Sequence, residues 1–132
     1  MTFHFGAGSA ACTNPMPTRY VILRHDGIDH PHFDLMFETA PGSQLATWRS
    51  DVWPITRPTP VERLPDHRAA YLDYEGPVSN NRGRVSRVES GLCRLRRDET
   101  VWHIELSTEG RGLQLRLLED GGWEAVPGAK TA

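Results

Sequence analysis

Short segments rich in β-forming residues follow one another along most of this 132-residue chain, and almost none of it shows the period of an amphipathic helix. Turn-forming stretches such as APGSQ, SG, DE and TEGRG separate these segments. Many short strands at close spacing predict an all-β, mainly antiparallel fold, a small closed or partly open β-barrel with one or two short helical turns. The segments lie at 19–25, 32–38, 45–49, 83–89, 92–97, 100–106, 113–119 and 122–126.

The length of the chain is sufficient for one domain with a hydrophobic core and insufficient for two. We expect residues 1–18 to form a flexible N-terminal arm, residues 19–126 the barrel domain, and residues 127–132 a disordered tail. The segment RYVILRH at 19–25 is a short, β-rich and largely apolar run, which is typical of a strand buried on both faces.

One helical turn is predicted in LPDHRAAYLDYEG, where Asp66 follows Pro65 and can serve as the N-cap. In such a turn His67 and Tyr71 stand four residues apart and share one face.

The charge composition excludes a uniformly basic nucleic-acid-binding protein, because the net charge is −2 and the isoelectric point is near 6.3. Arginine is nevertheless concentrated at 82–97, where six of the fourteen arginines lie, as in a solvated strand face or an anion-binding one. Two cysteines, Cys12 and Cys93, form neither a disulfide framework nor a CxxC site, and no apolar run approaches membrane-spanning length. We therefore expect a cytoplasmic protein that does not enter a membrane.

Three metal-competent side chains cluster in RYVILRHDGIDHPHFDLMFE at 19–38. His32 and Asp34 are two residues apart, so on a strand both side chains project to the same side. His25 ends the preceding strand, and a turn through Gly27 and Pro31 can return the chain so that His25 stands beside them. Two imidazoles and one carboxylate with open coordination positions suit Mn²⁺, Zn²⁺ or another divalent transition metal, or these histidines are merely hydrogen-bonded.

A cupin-type metal site is an alternative, since His30 and His32 form an HxH pair. That site requires Glu38 and the distant His103 as further ligands.

The ordered motifs RHDG…HFDLMFE, TW, PDHRAAYLDYEGPV and GRVSRVESG, between residues 20 and 117, resemble the 3′-phosphoesterase domain of bacterial DNA ligase D and its small stand-alone relatives. The resemblance implies a small β-barrel with Mn-dependent activity on DNA 3′ ends, removing a terminal ribonucleoside and then the 3′-phosphate. The implied setting is non-homologous end joining in DNA repair. The implied partners are DNA 3′ ends or a related phosphate ester and a repair ligase or polymerase, and we expect a monomer.

The resemblance also assigns roles to individual residues. The metal ligands of the family fall on His25, His32 and Asp34, and its phosphate-contacting histidine and tyrosine fall on His67 and Tyr71. Glu75, in YEG, matches a family glutamate that is expected to orient a neighbouring group of the site.

The chain departs from the family pattern at Met36, where the ligase-fused domains carry a phosphate-binding arginine. A thioether cannot replace a bidentate cation. We expect Arg82 or Arg84 to supply the missing charge. Otherwise the protein is a catalytically silent, metal-containing module that binds nucleic-acid ends.

Overall fold

The computed structural model describes residues 16–128, and it confirms the all-β prediction. The predicted arm and tail lie largely outside the described residues, although β1 begins at Thr18 and β9 ends at Gly128. These described residues form nine strands: β1 (Thr18–Asp26), β2 (His32–Glu38), β3 (Leu45–Ser50), β4 (Thr59–His67), β5 (Gly76–Pro77), β6 (Arg84–Arg97), β7 (Val101–Leu106), β8 (Gly112–Leu117) and β9 (Trp123–Gly128).

Eight of these strands close into an antiparallel barrel. Their order is β1-β2-β3-β4-β9-β8-β7-β6, and β6 pairs back onto β1, which closes the sheet. The two-residue strand β5 pairs with the start of β6. Because closure gives every barrel strand two hydrogen-bonded neighbours, each strand presents alternate side chains to the interior and to the outside.

The barrel interior holds the larger hydrophobic core, built from aliphatic and aromatic side chains of all eight strands. Trp48 lies at its centre and contacts the rings of Trp102 and Trp123, with ring centroids 5.0 and 5.5 Å away. The guanidinium carbon of Arg63 lies 4.4 Å from the centroid of the Trp48 ring, so an arginine covers this tryptophan group. The fully enclosed members of the core include Tyr20, Ile22, Leu35, Phe37, Trp48 and Leu115.

A second apolar cluster lies on the outside of the barrel and buries the other face of β1 and β2. We call it the outer cluster; its buried members are Val21, Leu23, Met36, Leu45, Leu72 and Val85. Residues 68–83, which we call the cover segment, contribute Leu72, Tyr71 and Val78 to it. This covering confirms that the middle of β1 is buried on both faces, as its largely apolar run predicts.

The prediction of a helical turn capped by Asp66 is wrong in detail. Strand β4 continues to His67, and a 3-10 helix begins only at Ala69, after Arg68 in an extended conformation without a side-chain cap. Pro65 is compatible with β4 because the β3–β4 register shifts there, and a bulge requires no ladder hydrogen bond from proline. The helical turns, Ala69–Leu72 and Thr108–Gly110, are both 3-10, and within residues 16–128 no helix has the length and apolar character needed to cross a bilayer.

Candidate metal centre

Strands β1 and β2 bring His25, His32 and Asp34 together on the outside of the barrel. His25 is paired directly with His32, and Leu23 with Asp34, across the antiparallel ladder. The connecting turn includes Gly27 at a φ of +75°, a conformation that glycine adopts without strain. One potential ligand atom from each of the three side chains lies within 4.8 Å of the other two. The predicted hairpin thus places these three residues together.

Backbone carbonyls fix the orientation of both imidazoles. Nε2 of His25 lies 2.6 Å from the carbonyl oxygen of Arg82, and Nδ1 of His32 lies 2.8 Å from that of His30. Because a carbonyl can only accept, each of these ring nitrogens carries the proton. In the neutral rings, Nδ1 of His25 and Nε2 of His32 therefore present lone pairs, and both point towards Asp34.

The Asp34 carboxylate completes the group and lacks a donor. Its oxygens lie 3.7 Å from Nδ1 of His25 and 3.2 Å from Nε2 of His32. The side chain is only 5% exposed, and Oδ1 is buried without a hydrogen-bond partner among the described residues. A buried carboxylate whose two oxygens each face a lone pair is unfavourable, and a bound cation relieves it.

The chemistry of this donor set fits a divalent transition metal. Two imidazole nitrogens and one carboxylate oxygen suit Mn²⁺, Zn²⁺ or Fe²⁺ and leave coordination positions free. The carbonyl bonds to the outer ring nitrogens are the second contacts that metal-bound histidines usually make. His25, His32 and Asp34 can therefore hold such an ion.

His67 and Tyr71 lie together, as predicted, but not within this group. Their ring centroids are 5.9 Å apart, and Nδ1 of His67 lies 2.9 Å from the carbonyl oxygen of Pro65. His67 pairs with Leu45 on β3, whereas Asp34 pairs with Arg49, four residues further along the same strand. Four residues of a strand correspond to roughly 13 Å. His67 and Tyr71 therefore lie apart from the candidate metal centre, across the outer cluster.

The structure does not bring the guanidinium groups of Arg82 and Arg84 to the three residues. The Arg82 side chain donates to the carbonyl and the hydroxyl of Ser79, at 2.9 and 3.3 Å. Arg84 pairs with Asp26, one residue beyond the His25–Val85 pair, so strand alternation directs it to the opposite face of the sheet.

Glu75 contacts strand β6 rather than His25, His32 or Asp34. One of its oxygens accepts a hydrogen bond from the backbone N–H of Arg87, and the other lies 4.0 Å from the Arg87 guanidinium.

The residues of the alternative cupin-type site, His30, His32, Glu38 and His103, do not come together. Glu38 accepts hydrogen bonds from the backbone N–H groups of Arg19 and Gly42, at 2.7 and 3.0 Å, and so closes the β2–β3 turn. His103 lies on β7, three strands away from β2, and His30 contributes its carbonyl to His32.

Two arginines of the outer face, Arg49 and Arg87, were missed by the sequence reasoning. Arg49 lies on β3 and pairs with Asp34 on β2, and Arg87 lies on β6 and pairs with Leu23 on β1. Strand alternation from the core residue Trp48 indicates that Arg49 faces outwards, but its partner depends on a register that the sequence does not specify.

A scan against protein-family models found no match for the sequence. A search of curated proteins likewise found no protein that matches it.

Proposed function

We propose that this protein is a Mn-dependent phosphoesterase that removes 3′-phosphate or 3′-ribonucleotide ends from DNA during repair. The observation that supports the metal-dependent part is that two carbonyl-bonded imidazoles converge on the buried Asp34 carboxylate, one oxygen of which has no hydrogen-bond partner among the described residues. The choice of DNA 3′ ends rests on the resemblance of the sequence motifs to the ligase D phosphoesterase domain. The closed antiparallel barrel agrees with the fold that the resemblance implies.

His25, His32 and Asp34 are the proposed ligands, for Mn²⁺ or, alternatively, Zn²⁺ or another divalent metal. When bound, the metal supplies Lewis-acid chemistry by neutralising negative charge on a phosphate oxygen. The carbonyls of Arg82 and His30 keep the two imidazoles in the tautomers that face the site.

His67 and Tyr71 are proposed to contact the substrate from the other side of the outer cluster. The His67 imidazole, if protonated, donates a proton to the phosphate or to the leaving 3′ oxygen, and the Tyr71 hydroxyl donates a hydrogen bond to the phosphate. They lie about 13 Å along the strand from the three metal-binding side chains, so both would have to move towards that group to contact the same phosphate ester. Arg82 or Arg84 would have to turn out of its present position to reach this ester.

The test is release of phosphate from a primer–template that ends in a 3′-phosphate, with and without Mn²⁺. We expect Mn-dependent release that disappears in His32→Ala. A parallel substrate with one 3′-terminal ribonucleotide measures the second activity. Absence of release from a wild-type protein that binds Mn²⁺ stoichiometrically would refute the esterase.

Met36 favours a second candidate, a silent end-binding module. Its side chain is 1% exposed and packs in the outer cluster, so it offers no charge to a phosphate. Such a module would bind DNA 3′ ends in a Mn-dependent way without turnover, and would deliver them to a repair ligase or polymerase. Binding without product in the same assay would support it.

A further inference from the structure

Arg49 has the position of an anion-binding residue beside the candidate metal centre. It is paired directly with Asp34 across the β2–β3 ladder, which places the two Cα atoms about 4.5–5.5 Å apart. Both side chains leave the sheet on its outer face, because their neighbours Leu35 and Trp48 are enclosed in the interior core.

The guanidinium of Arg49 is only weakly engaged. Its Nε is buried without a hydrogen-bond partner among the described residues, and its NH1 lies 3.6 Å from a carboxylate oxygen of Glu62. The two side chains are 42% and 63% exposed. Ion pairs this exposed contribute little, so a phosphate held next to Asp34 would replace Glu62 readily.

The other arginines of this region are less suitable. Arg87 is separated from Asp34 by the intervening strand β1, and Glu75 holds its backbone and faces its guanidinium. Arg82 donates to Ser79, and Arg84 faces the opposite side of the sheet.

We propose that Arg49 binds the phosphate of the substrate, and that Glu62 holds its guanidinium until the substrate arrives. This inference rests on the proposed function, because it places the phosphate on a metal bound by His25, His32 and Asp34. A divalent cation, the Asp34 carboxylate and the Arg49 guanidinium together carry a charge of two positive units. That charge matches a terminal phosphate monoester, which is close to a dianion at neutral pH, better than a singly charged diester. The preferred substrate class is therefore a terminal phosphate monoester.

The experiment compares Arg49→Ala with wild type and with Arg116→Ala, a matched exposed arginine on β8, four strands from β2 in either direction around the barrel. Calorimetry measures the binding of Mn²⁺ and then of inorganic phosphate to the Mn-loaded protein. The 3′-phosphate primer–template gives kcat/KM. We expect Arg49→Ala to keep wild-type Mn²⁺ affinity while phosphate affinity falls at least tenfold and kcat/KM falls about 10²–10³-fold. Arg116→Ala should match wild type in all three measurements.

Two further variants test the chemistry of the contact. Arg49→Lys should recover only part of the loss, because an ammonium cannot grip two phosphate oxygens as a guanidinium does. Glu62→Gln should tighten phosphate binding, since it removes the competing carboxylate.

The outcomes separate this inference from the proposed function. If Arg49→Ala weakens Mn-dependent phosphate binding but wild type releases no phosphate, the role of Arg49 is supported and the esterase activity is refuted. Phosphate release by wild type that Arg49→Ala leaves unchanged would refute the role of Arg49 and retain the esterase activity. Loss of phosphate release only in Arg82→Ala or Arg84→Ala would lead to the same conclusion. A wild-type protein that binds no Mn²⁺ would overturn both.

Discussion

Replacing Asp34 with asparagine should stabilise the metal-free protein and abolish its stabilisation by Mn²⁺. Without a metal, the carboxylate is a buried anion with one unpartnered oxygen, and it faces lone pairs of His32 and His25 at 3.2 and 3.7 Å. The Asp34→Asn amide is neutral, of nearly the same size, and can donate to the closer ring nitrogen.

The expected size of the effect follows from these contacts. Leaving a buried polar group without a partner costs about 1–3 kcal/mol, and a new hydrogen bond contributes about 1 kcal/mol. We therefore expect Asp34→Asn to raise the free energy of unfolding in EDTA by about 1–3 kcal/mol. Mn²⁺ at one hundred times its Kd should stabilise wild type by about 2.7 kcal/mol and the variant hardly at all.

Urea unfolding followed by tryptophan fluorescence measures both quantities, in EDTA and in excess Mn²⁺. Asp26→Asn is the matched control, because Asp26 pairs with Arg24 at the surface and should change neither. Destabilisation of Asp34→Asn in EDTA by more than about 1 kcal/mol would refute the reasoning, because the carboxylate would then have a favourable partner in the absence of metal. An equal response of both proteins to Mn²⁺ would show that the metal binds elsewhere.

Three further predictions concern the barrel. Glu89→Ala removes the carboxylate that accepts from the Trp53 indole, the Arg111 guanidinium and the Tyr20 hydroxyl, of which only the hydroxyl keeps a second hydrogen bond among the described residues, to Thr108. It should lower stability by about 3 kcal/mol, measured as a fall in Tm of about 10 °C by calorimetry, and an unchanged Tm would contradict the contacts. Burial, followed by the hydrogen bond to Glu89, raises the pKa of Tyr20. The free energy of unfolding should therefore stay constant up to the pKa of an unfolded tyrosine, about 10, and decline above it. Tyr20→Phe should remove the tyrosinate absorbance that accompanies alkaline unfolding. Gly83→Ala would place a Cβ 2.1 Å from the carbonyl oxygen of Asp26 and should weaken both folding and Mn²⁺ binding. Gly42→Ala, also at positive φ but with no atom within 4 Å of its Cβ, should cost only its local strain. Titration with Mn²⁺ distinguishes the two variants.

Local features of the site were predictable from the sequence. His32 and Asp34 share a face because strand alternation is fixed, and His25 joins them because a short turn with glycine returns the chain. The burial of β1 on both faces also follows from its apolar run alone. These predictions depend on residues close together in sequence.

Features that depend on long-range pairing were not predictable. Strand β4 contains Pro60 and Pro65, which argue against a strand, and it forms because β3 and β9 supply partners and a bulge accommodates Pro65. The orientation of Arg84 depends on how the start of β6 pairs with the end of β1. The position of Arg49 opposite Asp34 requires the β2–β3 register, and a slip by one residue would turn Arg49 to the interior.

Closure of the sheet by the β1–β6 pairing has a consequence for how this protein meets other molecules. Among the described strands, each of the eight in the barrel has both neighbours in place, and β5 is only two residues long. Little backbone is left unpaired for another chain to add to as a further strand, which is a common route to aggregation and to peptide recognition. Strand addition along the barrel is therefore largely closed to a partner, which leaves side chains and loops as its means of recognition.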